Sequence, residues 1–196
     1  MNLIERAKNI ITTAKTEWLV IETETATPGS LLGSYVLPMA IISSLGALLK
    51  GLLWAGTWGL QFYLVTVCIS FISIIISFYI ASYVVDMLAP SFNSEKNINR
   101  SAQLVAYSNT PTWIAGLLSF IPVLGWLIVI AGWIYSVYIM YLGVGPLKKT
   151  PEDKRIIYMI ISFIVMLIVG FIIAAILGSI FYGTMGYGYG WNRIGY

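Results

Sequence analysis

The sequence predicts an all-α membrane protein. Five transmembrane helices follow an amphipathic helix, with the amino terminus inside and the carboxyl terminus outside. Three observations lead there. The first is composition: of 196 residues, 59% are hydrophobic and 10% charged, with a mean hydropathy of +0.86, whereas soluble domains carry about 25% charge. The second is the placement of charge. Charge-free runs cover 25–49, 51–85, 101–147 and 156–192, and a spanning helix needs about 20 mostly apolar residues. The third is the distribution of Lys and Arg. Five spans with an inner amino terminus put Arg6, Lys8, Lys15, Lys96, Arg100, Lys148, Lys149, Lys154 and Arg155 inside and only Lys50 and Arg193 outside. That is the asymmetry of the positive-inside rule, and four or six spans would put one basic cluster on the wrong side.

The elements follow in chain order. Residues 1–26 form a cytoplasmic amphipathic segment. Leu3, Ile4, Ala7, Ile10 and Ile11 recur at helical spacing, with Glu5, Arg6, Lys8 and Asn9 on the other face. Such a helix lies on the membrane surface or on the bundle. A second short helix follows Thr16. Thr27-Pro28 supplies a cap and a first-turn proline for the first span. The transmembrane domain, 27–183, divides into spans at about 30–49, 60–88, 100–119, 122–146 and 152–182. The third and fourth come from splitting one uncharged run at Ser119–Pro122, because Pro122 cannot continue a helix. "GVGP" at 143–146 ends the fourth span, and "TPED" at 150–153 opens the fifth, with Thr150 as cap, Pro151 in the first turn and Glu152 and Asp153 complementing the helix dipole. The tail 184–196 alternates glycine with aromatics and reads as a loose interfacial segment. No internal repeat marks an inverted-repeat transporter. The amino terminus has no signal-peptide pattern.

The residues argue against an enzyme. There is no histidine, no nucleophile–base pair, no phosphate loop and no metal-ligand cluster, so no catalytic residue, metal or cofactor is expected. Cys68 is the only cysteine and reads as a small apolar residue. The acidic residues all fall in the amino-terminal segment or in or beside the inner loops, away from a membrane midplane where ion-coupled carriers place a charge. The net charge of +3 comes from loop residues and does not suggest nucleic acid as a partner.

Three features remain as candidate sites. Asp86, one turn before Pro90, and Arg100 at the start of the third span form an inner-face pair, structural or partner-binding. Gly170, Ala174 and Gly178, with Ser162 and Met166, make a small-residue stripe that lets a helix approach closely, in the bundle or across a homo-oligomer seam. The third is "AYSNTPTW" at 106–113. Pro111 frees the carbonyl of Tyr107, and a freed carbonyl in hydrocarbon needs another partner. Ser108, Asn109 and Thr110 supply local donors. A kink at Pro111 is therefore expected, with Tyr107, Ser108 and Asn109 facing neighbouring helices and Asn109 bonded to the fourth or fifth span or to water. The segment is either a self-satisfied kink or the lining of a polar cavity.

The motifs resemble the Yip family of membrane proteins, the Ypt/Rab-interacting proteins, in a compact bacterial form. The resemblance rests on "AKTEWLVIETE" at 14–24, "YVLP" at 35–38, "LVAYSNTPTWIAG" at 104–116, "IPVLGWL" at 121–127 and "YIMYLGVGPLKKTPEDK" at 138–154. Its most specific element is Tyr107, Ser108 and Pro111. The resemblance implies a five-span bundle with an inner amino terminus, in the cytoplasmic membrane of a bacterium, and no catalytic signature. Eukaryotic members are linked to vesicle traffic, small GTPases and oligomerisation with relatives, and fold transfers further than function. The expected function is a non-enzymatic membrane scaffold whose partners are the lipid bilayer and a protein or a second copy. The alternative is a channel or carrier for an ion or small solute, with Tyr107–Thr110 lining the path.

Overall fold

The computed structural model describes residues 2–58 and 60–184. These residues are helical almost throughout, and no strand occurs among them. Two short helices, α1 (Leu3–Thr12) and α2 (Ala14–Thr23), fold back on each other at Thr13. A capping box follows at Thr27: its side chain accepts from the Ser30 N–H, and Ser30 reaches back to the Thr27 backbone. Pro28 opens α3 (Pro28–Leu31), which passes through a wide turn at Leu32–Val36 into α4 (Leu37–Trp58). Then come α5 (Leu60–Leu88), α6 (Ile98–Ser108), α7 (Thr110–Leu117), α8 (Leu124–Lys148) and α9 (Glu152–Thr184). The tail 185–196 and Arg193 lie outside the described residues.

Four stretches among the described residues are long and apolar enough to cross a membrane: Pro28–Leu53, Gln61–Phe92, Leu124–Lys148 and Glu152–Gly183. The expected third span, 100–119, is not one helix. It is two, α6 and α7, broken at Asn109, and neither alone reaches the length of a span. α6 is the most enclosed element, with every side chain from Ser101 to Ser108 buried. Its neighbours α1, α3, α5 and α8 pack around it, so it carries Gln103, Ser101 and Ser108 where a lipid-facing helix carries apolar residues. Leu104, Val105 and Ala106 join Trp18, Tyr35, Phe78, Ile139 and Met140 in the core.

Two helix boundaries differ from the expected ones. α8 runs through Pro146 to Lys148 instead of stopping at "GVGP"; proline is tolerated in spanning helices because neighbouring groups satisfy the freed backbone. Thr150 does not cap α9. Its hydroxyl donates to the Val144 carbonyl (3.2 Å) and bonds the Ser94 hydroxyl (2.8 Å), and the helix begins at Glu152. α1 rests on the bundle, the second of the two expected positions. Tyr135 donates its hydroxyl to the Ile11 carbonyl at 2.5 Å. Tyr135 lies roughly 20 Å along α8 from Lys148 at 1.5 Å per residue, so the α1–α2 hairpin climbs the side of α8.

Close approaches set the packing. A Cβ on Gly46 of α4 would collide with the backbone of Gly116 and Leu117 in α7, and one on Gly132 of α8 would lie 2.6 Å from Ala115 Cβ. A Cβ on Gly143 would lie 2.7 Å from Trp18 and from Leu104. These glycines let α7 lie against α4 and α8 and let the Trp18 ring lie flush on α8. The stripe on α9 behaves differently. A Cβ on Gly170 meets only Ser77 Oγ, at 3.9 Å; one on Gly178 meets only Tyr182 of its own helix; and Ala174 is exposed.

Candidate functional site

The polar groups of the bundle gather in two connected places, both reached by α6. The first is a clamp at the end of α8. Lys148 is completely buried. Its ammonium donates to Asp86 Oδ1 (3.1 Å), Ser101 Oγ (2.7 Å) and the Asn97 carbonyl (3.4 Å). Asp86 Oδ1 accepts as well from the Asn97 N–H (2.7 Å) and Ser101 Oγ (3.0 Å). One carboxylate thus joins the ends of α5, α6 and α8. The expected Asp86–Arg100 pair does not form, because Lys148 occupies the carboxylate. Beside the clamp the Glu95 N–H donates to the Lys148 carbonyl at 2.7 Å, and Lys149 pairs with Glu95 at 2.9 Å. The Lys149 bond holds the exposed Glu95 carboxyl below the usual carboxylate range. Its contribution is therefore present above that range and is lost as pH falls through the lowered value, and solvent keeps it small.

The second place lies under the α1–α2 hairpin. Arg6 is buried and donates to Glu17 at 2.5 Å and to Glu24. Its guanidinium stands 5.3 Å from the centre of the Tyr107 ring, within cation–π range. Arg100 serves the same hairpin: it donates to the carbonyls of Ile21 (3.2 Å) and Glu24 (3.1 Å), and Gln103 reaches the same two oxygens. The Ile21 carbonyl also accepts the Glu24 N–H at 3.1 Å, while the Glu24 carbonyl lies past the end of α2; a cation at this helix end also complements the dipole. An open cavity of about 520 Å³ adjoins the network, with Arg6, Glu24, Ser30, Ser34, Tyr35 and Tyr107 on its walls.

The residues of "AYSNTPTW" divide between the two faces of α6–α7. Thr110 Oγ1 donates to the Tyr107 carbonyl at 2.7 Å, the oxygen that Pro111 leaves free, and bonds the Tyr35 hydroxyl at 2.7 Å. Ser108 donates to the Leu104 carbonyl at 2.6 Å. The break falls at Asn109, two residues before Pro111, with Pro111 in the first turn of α7 where its missing N–H is least costly. Asn109 does not bond across to another span. Its amide donates back to the Val105 carbonyl at 2.8 Å, and its side chain borders a cavity of about 170 Å³ between α5, α7 and α9, beside Ser73, Ser77 and Gly170. Tyr107 lies on the opposite side, edge-on to Tyr35 at 4.7 Å and near Trp18.

Sequence reasoning missed Arg6, Glu17 and Lys148 as interior groups and the half-buried Glu24 as a partner of Arg6. Their positions in amphipathic or loop-flanking sequence read as surface. The one available signal was the excess of charge on a helix whose apolar face was already filled. Among the described residues no group of three or more His, Cys, Asp or Glu is placed to hold a metal. The arrangement can hold helices together, fix the hairpin and offer polar and apolar cavities. No curated protein and no solved structure matches the chain significantly. The Yip1 domain matches residues 8–174, which takes in the hairpin from Lys8 onward, the Asp86–Lys148 clamp and the α6–α7 break, and the chain belongs to the Yip1 domain family.

Proposed function

We propose that this chain is a non-enzymatic scaffold of the cytoplasmic membrane, which binds protein partners or a second copy through the α1–α2 hairpin. The observation that carries the reading is the way the hairpin is held. The Trp18 indole donates to the Ile139 carbonyl at 3.0 Å, Tyr135 reaches Ile11, and Arg100 and Gln103 take the end of α2. These bonds hold the exposed face of α2, with Lys15, Thr16, Leu19 and Val20, in a fixed register on the bundle. Leu19 and Val20 are 56% and 45% exposed beside polar neighbours, a pattern suited to a partner's apolar anchor with a polar rim. The chain crosses the bilayer five times in this reading, with α6–α7 as a composite third crossing and the amino terminus on the cytoplasmic side, as the basic asymmetry favours.

Photo-crosslinking in living cells tests the platform. A photoreactive residue at position 19 should give discrete protein adducts, and one at the lipid-facing position 160 should give none. Leu19→Asp with Val20→Asp should remove adducts formed from position 16 and leave the melting temperature unchanged. Identical, lipid-only labelling from positions 19 and 160 would overturn the reading.

A further inference from the structure

The polar cavity beside the α1–α2 hairpin, of about 520 Å³, has a mouth and a floor. Glu24, Thr25 and Ser30 border it next to Pro28, where the first membrane-crossing stretch begins, so the mouth lies at the level of the bilayer surface. Tyr107 forms the floor, roughly 10 Å further along α6 than Arg100, which holds the Glu24 carbonyl. We propose that this cavity binds a primary ammonium group, carried by an ethanolamine phospholipid or by a free amine. The site does not depend on the exposed face of α2.

Three features select this occupant. Tyr107 is 6% exposed, yet its hydroxyl has no hydrogen-bond partner among the described residues, and a buried hydroxyl is rarely left so. The other free atoms on the walls are acceptors. Thr110 gives its hydrogen to the Tyr107 carbonyl, so Tyr35 is the donor in the Tyr35–Thr110 bond and keeps its lone pairs. Ser34 donates its hydrogen to the Ser30 carbonyl at 2.7 Å, and only one Glu24 oxygen is taken, by Arg6. An ammonium brings donors only and matches such a set. The charge agrees. Arg6 alone serves the carboxylates of both Glu17 and Glu24, so a further cation offsets the second of them. Arg100 is turned to backbone oxygens and Gln103 and does not line the cavity. An anion would meet Glu24 beside an Arg6 that is already matched twice. Rival cations fit less well. A quaternary ammonium has no N–H and is held by open aromatic faces, whereas the Tyr107 ring already carries Arg6 at 5.3 Å. A divalent metal prefers clustered carboxylates, and among the described residues no three His, Cys, Asp or Glu are grouped for one.

The test titrates the full chain in detergent micelles with ethanolamine, choline or sodium acetate at matched ionic strength, and follows the melting temperature. In a second arm the chain is taken from nanodiscs with equal amounts of phosphatidylethanolamine and phosphatidylcholine, and the lipid it keeps is identified by native mass spectrometry. The expected result is saturable stabilisation by ethanolamine or selective retention of phosphatidylethanolamine, with no such effect of choline or acetate. Tyr107→Phe removes a hydroxyl that holds no protein group, so the melting temperature without ligand should stay unchanged. Binding in the responding arm should weaken about tenfold, the low end for one hydrogen bond to a charged group. Glu24→Gln keeps an acceptor oxygen for Arg6 and should remove the selectivity. A response in the first arm identifies a free amine, one in the second a lipid headgroup, and either supports the site. No response in either arm overturns it. Equal effects of ethanolamine and choline, or an effect of acetate, overturn the ammonium assignment. Tyr107→Phe that binds as tightly as the unaltered chain overturns the location.

Discussion

Lys148 shows how one side chain can fix three helix ends. It is completely buried, so its charge is tolerable only with a partner charge and filled hydrogen bonds. Asp86 supplies the charge, and Ser101 and the Asn97 carbonyl take the remaining protons. Removing one partner of such a pair costs about 3–5 kcal/mol, because the other is left uncompensated, whereas replacing both is far milder. Lys148→Met should therefore destabilise by about 3 kcal/mol, the low end, since Asp86 keeps its bonds from Asn97 and Ser101. Asp86→Asn in that background retains an acceptor oxygen for the Asn97 N–H and removes the charge, and should restore most of the loss. Denaturant titration of the single and double variants in micelles checks this. A double variant no more stable than Lys148→Met would mean that the charge is not what the clamp balances.

At the scale of elements, the α6–α7 break is a local event with local satisfaction. Thr110 takes the carbonyl that Pro111 frees, and Asn109 takes that of Val105. Asn109→Leu thus removes one hydrogen bond that carries a net contribution of about 0.5–1.5 kcal/mol, and the leucine gains apolar contact in the neighbouring cavity. The expected change in stability is below about 1.5 kcal/mol. A loss beyond 3 kcal/mol in micelle unfolding, outside the range of one such bond, would mean that Asn109 holds another helix. A variant of normal stability with altered ion or solute flux in proteoliposomes would favour the carrier reading. Much at this scale was legible in the sequence. The Thr27-Pro28 start, the division of the long uncharged run before Pro122 and the fate of the Tyr107 carbonyl all follow from backbone chemistry within a few residues. Arg6 with Glu17 and Glu24 was not legible, because those positions are 11 and 18 residues apart and meet only when α1 folds back on α2. Nor was the choice of Lys148 over Arg100 for Asp86, which depends on where α8 ends after passing through Pro146. The tight glycines escaped for the same reason: Gly46 lies on the Gly116 and Leu117 backbone and Gly116 on Ser43, and the regular stripe on α9 drew attention to positions where no helix approaches closely.

For the whole molecule, the open question is how often the chain crosses the bilayer. Among the described residues four stretches are long and apolar enough alone, and an even count would leave both termini on one side. The bonds between chain segments support the five crossings proposed above. Ser94 meets Thr150, the Glu95 N–H meets the Lys148 carbonyl, and Asp86 meets Lys148, so α5 finishes at the same end of the bundle at which α8 finishes. The turn that starts α8 lies at the other end, where Lys50 shares a cavity with Ser119, Pro122 and Trp126. The chain from Ile98 to Phe120 must therefore travel from one end to the other. At 1.5 Å per residue that stretch spans roughly 34 Å, enough for a hydrocarbon core of about 30 Å. Its polar side chains are compatible with this because α6 is wrapped by other helices and presents little surface to lipid. On the proposed five-crossing reading Lys96, Arg100, Lys148, Lys149, Lys154 and Arg155 share one side, which the positive-inside rule would assign to the cytoplasm. Reporter fusions after residues 95 and 150 should both read as cytoplasmic, and fusions after residues 121 and 196 as external. A cytoplasmic reading at 121 together with an external one at 150 would mean that α6–α7 does not cross. The segment bonds that join the ends of α5 and α8 would then have to be broken in the membrane.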